Sequence, residues 1–423
     1  MDKYFFLEKF FKNKHILVAV SASIAIYKIL DLLSLLNKLG AQTRVVMSES
    51  SAKFINPLIF EAISKNPVLL DSNQSWETPQ APNHITYAKW AEVILIAPAS
   101  ANMIAKFACG IADNVALCTL LATPAPKILA PAMNTVMLRT TQTANNIATL
   151  KTLGVKIIES RVGLLACGEF GDGALAETND LVAGILGEIL KRDFANLAEF
   201  WNAKEVIISG GGSKEAIDNV RTLGNLSSGK QANYLALALF CLGAKVTLIS
   251  SSFYSILPSA IKCIRVSSTM EYYEAILKAR QDCMDKPYLF MAGAIADFKT
   301  KNKSKTKLKK ENLADSFTLE LEKNFDILES LSPQEFIKIG FKAEDNDTNA
   351  LECAKKMLYK KQCTMVCLNV LDSDNSFGSE YNKMTFINHN SCIQTPLLDK
   401  FTLSLQIARF ALECNATQNN TDC

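Results

Sequence analysis

The 423-residue sequence predicts an α/β protein of two domains, each a mainly parallel sheet with helices on both faces. Two observations support this fold class. Short apolar runs alternate with helix-length segments in both halves of the chain, which is typical of βαβ units. The length also exceeds the roughly 250–300 residues at which a single core stops growing. We expect the domains to span residues 1–190 and 191–423.

In the first half, the apolar run at His15 predicts a buried strand, and the helical spacing after it predicts a helix that ends at Gly40. Further strands are expected to begin at Arg44, Val93, Lys127 and Val155. A helical stretch over residues 181–204 becomes charged in its second half, and the boundary between the domains is predicted there.

The second half repeats the pattern, so a second Rossmann-like sheet is expected. Its strands are predicted to begin at Glu205, Lys245, Tyr288, Phe336 and Thr364. In open parallel sheets, ligands bind beyond the carboxyl ends of the strands. Residues that directly follow these runs are therefore the candidates for binding and catalysis.

Composition limits the classes of partner. Lysine and arginine total 45 against 42 acidic residues, and a formal charge of +3 provides no global field for nucleic acid or a membrane surface. No run approaches the roughly 18 apolar residues of a spanning helix, and the N-terminal segment lacks the features of a signal peptide. The 12 cysteines have no metal-site or disulfide spacing. We expect reduced thiols and a cytoplasmic enzyme with small-molecule substrates.

Several polar residues of the first half follow predicted strands. The turn from Ser21 to Ser23 opens a helix, where backbone N–H groups suit a phosphate, although an ordinary strand-to-helix turn has the same pattern. His84 precedes a strand and is either a titrating group or a structural histidine. Cys167 lies in a glycine-rich loop over residues 166–177, which is either a mobile lid with a reactive thiol or the site of a buried structural cysteine.

The ordered motifs AVSASIAIYK, NHITYAKWA, APASAN, ADN, PAMN and ACGEFGDG resemble the FMN-dependent cysteine decarboxylase family, specifically phosphopantothenoylcysteine decarboxylases. In that family FMN oxidises the substrate thiol to a thioaldehyde, carbon dioxide leaves, and the reduced flavin returns the electrons. The resemblance makes His84 the catalytic histidine, Asn134 the amide that holds the departing carboxylate, and Cys167 the acid that protonates the enethiol. It implies FMN contacts at Ser21, Ser23, Ser48, Ser100 and Asn102. Ala174 and Leu175 replace a basic residue of the family, so lid contacts with substrate are expected to differ.

The second half carries three glycines after the strand at Glu205 and a small-residue loop that ends at Lys230, without the GKS or GKT of a P-loop. Residues 298–312 concentrate lysines. This segment is either a solvated loop, a basic flap over a triphosphate, or a nucleic-acid patch across Lys299–Lys310; the near-neutral net charge disfavours the patch.

The order GGGSKEAIDNVR, NLSSGK, AGAIADF, KLKK, KNFDIL and GFKAE resembles phosphopantothenate–cysteine ligases, whose fused bacterial form uses CTP. The resemblance implies activation of 4'-phosphopantothenate as an acyl-cytidylate, which cysteine then converts. It assigns the activation step to Lys307, conversion of the acyl-cytidylate to Asn225 and phosphopantothenate binding to Arg221. It assigns CTP contacts to Met291, Ala292, Gly293, Asp297, Lys307, Phe325, Asp326, Ile327, Leu328, Phe341 and Lys361. Met357 replaces one lysine of a family pair, and Lys355, Lys356 or Lys360 could supply the missing charge.

Together the two resemblances predict a bifunctional enzyme of coenzyme A biosynthesis. Mg²⁺ is implied as the partner of the triphosphate, with no ligands assigned. Decarboxylases of this kind build active sites between subunits, so a trimer-based homo-oligomer is expected. The competing hypothesis is a regulatory flavoprotein that binds FMN without turnover.

Overall fold

The computed structural model describes residues 4–309, 318–345, 349–371 and 378–419. The chain divides into two compact units, Met1–Asp193 and Phe194–Cys423. The predicted α/β fold with a mainly parallel sheet in each half is confirmed. No helix among the described residues is both long enough and apolar enough to cross a membrane.

The first unit contains eight strands and nine α-helices among its described residues. The strands are β1 (His15–Val20), β2 (Gln42–Met47), β3 (Val68–Leu69), β4 (Val93–Ala99), β5 (Lys127–Pro131), β6 (Lys156–Ile157), β7 (Arg161–Leu164) and β8 (Phe170–Ala174). The helices are α1 (Glu8–Phe11), α2 (Lys28–Lys38), α3 (Pro57–Ser64), α4 (His84–Trp90), α5 (Ala101–Ala108), α6 (Val115–Leu121), α7 (Thr135–Arg139), α8 (Thr141–Thr152) and α9 (Thr178–Asp193).

Six of these strands form a parallel sheet in the order β3-β2-β1-β4-β5-β6. The central strands β1 and β4 are buried almost throughout because helices cover both faces, which explains their unbroken apolar sequences. The strand order reverses between β1 and β4. In doubly wound sheets the ligand crevice opens at this reversal, beyond the carboxyl ends of the strands.

The second unit repeats this plan. Its strands are β9 (Glu205–Gly210), β10 (Lys214–Ala216), β11 (Thr222–Gly224), β12 (Lys245–Ser250), β13 (Lys262–Arg265), β14 (Tyr288–Met291), β15 (Phe298–Thr300), β16 (Leu321–Lys323), β17 (Ile337–Asp345), β18 (Met365–Leu371), β19 (Tyr381–Asn382), β20 (Thr385–Ile387), β21 (Cys392–Gln394) and β22 (Leu398–Asp399). The helices are α10 (Ala195–Trp201), α11 (Lys230–Cys241), α12 (Thr269–Gln281), α13 (Ile327–Ser330), α14 (Ala350–Lys360) and α15 (Lys400–Asn419).

The main sheet of this unit has the order β13-β12-β9-β14-β17-β18-β20-β21. Its first six strands are parallel and follow the same order as the first sheet, with the reversal between β9 and β14. The last two strands are antiparallel additions at one edge. Both units therefore place their ligand crevices at equivalent points of one topology.

Three local features differ from the predicted elements or add to them. The helical stretch predicted over residues 181–204 is interrupted, because α9 ends at Asp193 and α10 begins at Ala195. The glycine-rich segment around Cys167 contains the turn of the β7–β8 hairpin, an element that the sequence analysis did not predict. The lysine-rich segment begins as a strand, since β15 pairs with β16. The pairing of β15 with β16 joins Phe298 to Lys323, and a local sequence pattern does not report such a pairing.

Candidate active sites

The crevice of the first unit is shaped by serines that follow β1 and β4. The Ser21 hydroxyl is buried, donates to the Pro98 carbonyl (2.7 Å) and accepts from the Ser100 N–H (2.8 Å). The Ser100 hydroxyl in turn caps α5 by accepting from the Met103 N–H (3.3 Å). These two serines join the neighbouring strand ends across the point where the strand order reverses.

The other predicted phosphate contacts differ in their availability. Ser23 donates to the Ala132 carbonyl (3.2 Å) and accepts from the Ala25 N–H (3.4 Å), so its hydroxyl is engaged within the protein. Ser48 follows β2 and its backbone N–H donates to the Val20 carbonyl (3.1 Å). Asn102 is exposed in the first turn of α5. The Ser21 N–H also donates to the Pro98 carbonyl (3.3 Å). Asn102 and the backbone N–H groups of Ala22 and Ser23 are thus better placed to meet an anion than the two serine hydroxyls of that turn.

The structure brings Asn134 and Cys167 together, although 33 positions separate them. Asn134 caps α7, with its Oδ1 accepting from the Val136 N–H (2.8 Å). This bond directs Nδ2 the other way, to the Cys167 thiol (3.7 Å) and a carboxylate oxygen of Glu169 (3.2 Å). Cys167 is exposed, so the alternative of a buried structural cysteine is wrong. Glu169, which the sequence reasoning missed, lies within the ACGEFGDG motif.

The β7–β8 hairpin is held tightly against the loop that carries Asn134. The Met133 N–H donates to the Gly173 carbonyl (3.0 Å), and a methyl group at Gly173 would lie 1.8 Å from the Met133 oxygen. Arg139 of α7 forms a salt bridge with Asp172 (2.9 Å), and this hydrogen-bonded pair holds the pKa of the Asp172 carboxyl below its usual value. The register of the hairpin therefore sets the distance between thiol and amide.

His84 occupies the first turn of α4, which is capped by the buried Asn83. Both the backbone N–H and the ring Nδ1 of His84 contact the same amide oxygen of Gln74, at 3.2 and 2.7 Å. Since the backbone N–H can only donate, the Gln74 atom is an acceptor, and Nδ1 carries the proton. Nε2 has no hydrogen-bond partner among the described residues and can face a ligand. Trp76 lies edge-on to the ring at 5.4 Å; like Gln74, it has no motif that singles it out in the sequence.

The large cavity of the second unit, about 1060 Å³, lies beside the carboxyl end of β14. Ten predicted ligase residues line this cavity, and they come from five separate segments of the chain: Asn225, Met291, Gly293, Asp297, Phe325, Asp326, Ile327, Leu328, Phe341 and Lys361. Ala292 instead lines a small neighbouring cavity of about 150 Å³. Asn225 is anchored by its Nδ2, which donates to the Ile295 carbonyl (3.1 Å).

Lysines surround the large cavity despite the presence of Met357 at a family lysine position. Lys361 forms a salt bridge with Asp326 (2.7 Å), and Lys360 forms one with Glu329 (2.8 Å). Burial alone would raise the pKa of the Asp326 carboxyl. Hydrogen bonds from Lys361 and from the Glu329 N–H outweigh this effect of burial, so the pKa of Asp326 lies below its usual value. Lys356 lines the cavity without an ion-pair partner in the described part of the chain, whereas Lys355 does not line it.

Arg221 and Lys307 line neither cavity, but the structure places their segments together. Asp218, only 2% exposed, joins them: it pairs with the Arg221 guanidinium (2.9 Å) and accepts from the Leu308 N–H (3.1 Å). Arg221 also donates to the Leu308 carbonyl (3.0 Å). Burial opposes ionisation of Asp218, yet backbone N–H bonds keep its pKa below the usual value. Asp218 is a positioning residue that sequence reasoning did not select, although it lies inside a quoted motif.

The lysine-rich segment is only partly a free positive surface. Lys299 and Lys301 pair with Glu322 (3.4 Å) and Glu320 (2.6 Å) of the neighbouring strand region. Residues 310–312 of the predicted flap or nucleic-acid patch lie outside the described residues. Among the residues that are described, no cluster of three or more histidine, cysteine, aspartate or glutamate side chains could hold a metal ion.

Two family models match the chain. Residues 8–190 match the family described as Flavoprotein, and residues 201–414 match the DNA/pantothenate metabolism flavoprotein C-terminal domain. The Coenzyme A biosynthesis bifunctional protein CoaBC of Vibrio vulnificus is 36% identical over 94% of this chain and 97% of its own length. That of Borreliella burgdorferi is 35% identical over 94% and 99%, and that of Bacillus subtilis is 36% identical over 93% and 96%.

Solved structures resemble each half separately. A PPC decarboxylase mutant complexed with pantothenoylaminoethenethiol is 30% identical and covers 45% of this chain and 99% of its own, with a TM-score of 0.37. The C-terminal domain of a Coenzyme A biosynthesis bifunctional protein CoaBC is 27% identical and covers 51% and 97%, with a TM-score of 0.42.

Proposed function

The chain belongs to the family of coenzyme A biosynthesis bifunctional proteins, and from that premise we propose how its described residues divide the work of the two reactions. It is a bifunctional enzyme with a phosphopantothenoylcysteine decarboxylase unit and a phosphopantothenate–cysteine ligase unit. The observation that carries the residue assignment is the meeting of Asn134 and Cys167 in the first unit. A regulatory flavoprotein without turnover is not favoured.

In the decarboxylase unit, Asn134 orients the substrate carboxylate. Its Nδ2 already donates to a carboxylate, that of Glu169, at 3.2 Å, so the amide has the right chemistry and an accessible donor. A neutral amide orients a carboxylate without the strong ground-state stabilisation that a cation would give, and loss of carbon dioxide is not penalised. Substrate would displace Glu169 from this donor.

Cys167 supplies the proton for the enethiol intermediate. The thiol lies beside Asn134, so an acid and a carboxylate anchor face the same substrate end. Glu169 accepts a long hydrogen bond from the thiol at 3.7 Å and could return a proton to it between turnovers. His84, with Nδ1 committed to Gln74, presents Nε2 as the hydrogen-bonding atom of the flavin side of the site.

FMN fits the crevice at the reversal of the first sheet by the chemistry of its donors. When bound, FMN accepts two electrons from the substrate thiol and later returns them. Because the Ser21 and Ser23 hydroxyls and the Ser21 N–H are engaged within the protein, its phosphate would rest on the backbone N–H groups of Ala22 and Ser23 and on Asn102. Ser100 and Ser48, which follow β4 and β2, would line the same crevice.

In the ligase unit we assign the nucleotide to the large cavity. Its volume of about 1060 Å³ accommodates an activated pantothenate derivative. Lys356, which has no ion-pair partner in the described part of the chain, supplies positive charge, and a triphosphate would compete with Glu329 and Asp326 for Lys360 and Lys361. Asp297 and the Phe325–Leu328 segment would read the cytosine of CTP. Mg²⁺ would enter with the triphosphate, whose charge it neutralises. Arg221, held by Asp218, would bind the phosphate of 4'-phosphopantothenate as a forked donor, with Lys307 acting in activation.

We also propose a trimer-based homo-oligomer in the cytoplasm. Large apolar side chains are exposed around the Asn134–Cys167 site, including Val136 (70%), Leu164 (72%) and Phe170 (77%). Another copy of the chain would cover them and add residues to the site. The free cysteines suit a reducing compartment. No nucleic-acid partner is assigned.

One assay tests both reactions. Purified protein receives 4'-phosphopantothenate, cysteine, CTP and Mg²⁺, while pyrophosphate and carbon dioxide are followed separately. Cys167→Ser should keep pyrophosphate release and carbon dioxide loss but accumulate the oxidised enethiol. Asn225→Asp should keep a first burst of pyrophosphate and slow conversion of the acyl-cytidylate. A matched control is Cys392→Ser, an exposed cysteine of the edge strand β21 that lines neither ligase cavity. Full coupled turnover by either site variant would refute that residue's role.

A further inference from the structure

The small cavity of the ligase unit, about 150 Å³, has a lining suited to an anion. Three lysines line it, Lys230, Lys342 and Lys400, and no carboxylate does among the described lining residues. Lys230 forms a salt bridge with Glu380, and Lys342 forms one with Glu344 (3.0 Å). Two of the three charges are therefore already neutralised by neighbours.

Lys400 is the exception. Its residue is only 6% exposed, and the described part of the chain offers its ammonium neither a hydrogen-bond acceptor nor an ion-pair partner. Burial and, to a smaller extent, Lys230 lower its pKa to about 8, opposed by Glu380. Buried cations are rare unless something pairs with them, so an unpaired one at a cavity wall marks a place for a negative ligand.

Two more groups at the cavity lack partners. The Ser227 hydroxyl, at the approach to the 12-residue helix α11, makes no hydrogen bond to described residues. Gln231 donates through Nε2 to the Lys400 carbonyl (3.2 Å) and the Ser404 hydroxyl (2.9 Å), which fixes its orientation. Its Oε1 is buried without a partner. Lys400 and Gln231 thus line the same cavity, the first with an ammonium group that suits a carboxylate and the second with an amide oxygen that can accept from an N–H group.

The small cavity adjoins the large one. Five residues line both, namely Gly293, Ala294, Phe341, Lys342 and Ala343. A ligand in the small cavity is therefore within reach of an acyl group held in the large one. The volume suits a compact molecule, and Cys367 and Met384 give part of the wall a sulfur-rich, apolar character favourable to a thiol.

We propose that the small cavity is the cysteine subsite of the ligase, with Lys400 binding the α-carboxylate and Gln231 facing the α-amine. The proposal rests on the proposed ligase function. The bound amine nitrogen would form a C–N bond with the acyl carbon as the acyl–oxygen bond to CMP breaks. CMP leaves with that electron pair, and the amine releases a proton to solvent.

A phosphate group is the competing occupant, and the structure disfavours it. A phosphate dianion is matched best by several free cations, but among the described lining residues only Lys400 is unpaired. The backbone N–H groups at the start of α11, beside Ser228 and Gly229, are the other donors that a phosphate would use, and the KM for 4'-phosphopantothenate in the test below separates the two occupants. Arg221, the guanidinium assigned to the pantothenate phosphate, does not line the small cavity. A carboxylate with a single negative charge matches the single free ammonium.

The test compares cysteine with cysteamine, which lacks the carboxylate, in Lys400→Met and wild-type enzyme. We expect kcat/KM for cysteine to fall roughly 10- to 100-fold, as for loss of a charged hydrogen bond, with no change for cysteamine. Ser227→Ala is the second variant, because the Ser227 hydroxyl lines the cavity and would donate to the same carboxylate, and its loss should lower kcat/KM for cysteine roughly 2- to 10-fold. Lys245→Met is the control, since Lys245 is exposed at the amino end of β12 and lines neither cavity.

Equal effects on cysteine and cysteamine would overturn the proposal, as would an increased KM for 4'-phosphopantothenate alone, which would mark a phosphate pocket. If Lys400→Met did not fold, an unchanged cysteine preference in Ser227→Ala would overturn it. The pyrophosphate burst without cysteine reports the activation step separately. If wild-type enzyme gave that burst only with another nucleotide, the CTP assignment would be wrong, and the cysteine comparison would be made with that nucleotide.

Discussion

Replacement of Gly173 by alanine should uncouple the two activities of this enzyme. A methyl group at this position would lie 1.8 Å from the Met133 carbonyl oxygen and 3.0 Å from its carbon. Contacts of this kind are not seen below 3.0 Å, so the hairpin strand must move by about 1.2 Å. The obstacle is backbone, which cannot rotate away as a side-chain end can.

That movement separates Cys167 from Asn134, because the hairpin carries the first and the Met133 loop carries the second. A displacement of about 1 Å in a catalytic group can cost ~100-fold in rate. We expect decarboxylase kcat/KM to fall by about that factor. Forced overpacking should also destabilise the first unit by about 1–3 kcal/mol.

The assay measures carbon dioxide from phosphopantothenoylcysteine and pyrophosphate from the ligase reaction on the same preparation. Pyrophosphate release should be unchanged, which also shows that the second unit is folded. Gly163→Ala is the matched control on the facing strand of the hairpin, since its methyl group would meet only the end of the Arg161 side chain. Wild-type decarboxylation by Gly173→Ala would refute the role of hairpin register.

Three further perturbations test other parts of the structure. Lys400→Met should raise the free energy of unfolding by up to about 3 kcal/mol at pH values below 8. Burial lowers the pKa of Lys400 to about 8, so the wild-type native state holds a buried ammonium at a cost that the methionine variant avoids. This gain in stability should decrease toward zero as the pH rises past 10.5, because the Lys400 amine is then neutral in both the native and the unfolded state of the wild type. Denaturant unfolding at pH 7 and pH 10 measures the difference, and an equal gain at both pH values would contradict the prediction. Asp218→Asn should raise KM for 4'-phosphopantothenate roughly 10-fold by freeing Arg221, while decarboxylation stays constant. Lys361→Met should raise KM for CTP roughly 10-fold, whereas Lys355→Met, outside the large cavity, should not; equal effects would refute a local role.

The arrangement of the core was largely predictable. Strands such as β1 and β4 are buried on both faces, so their sequences are continuous apolar runs that predict their own positions. Ligase residues from Asn225 to Lys361 were predicted to act together, and ten of them line one cavity. Their convergence follows from strand ends that meet at one sheet edge. Their individual roles stay predictions.

Residues that act through others were not predictable. Glu169, Gln74 and Asp218 matter because of what they contact, across 35, 10 and 90 positions of sequence for Asn134, His84 and Leu308. The engaged hydroxyls of Ser21 and Ser23 illustrate the same limit, since a serine after a strand predicts a phosphate contact until its partner is known.

The sequence by itself determined two α/β units, their strands and the family to which the enzyme belongs, because burial and local hydrogen bonding impose residue patterns on short segments. Only the tertiary structure decided that Cys167 meets Asn134, that Asp218 holds Arg221, and that Lys400 is buried without a described partner beside a small cavity. These contacts and this burial depend on how the tertiary structure packs side chains together, and the alternation of apolar and polar residues along the sequence does not predict that packing.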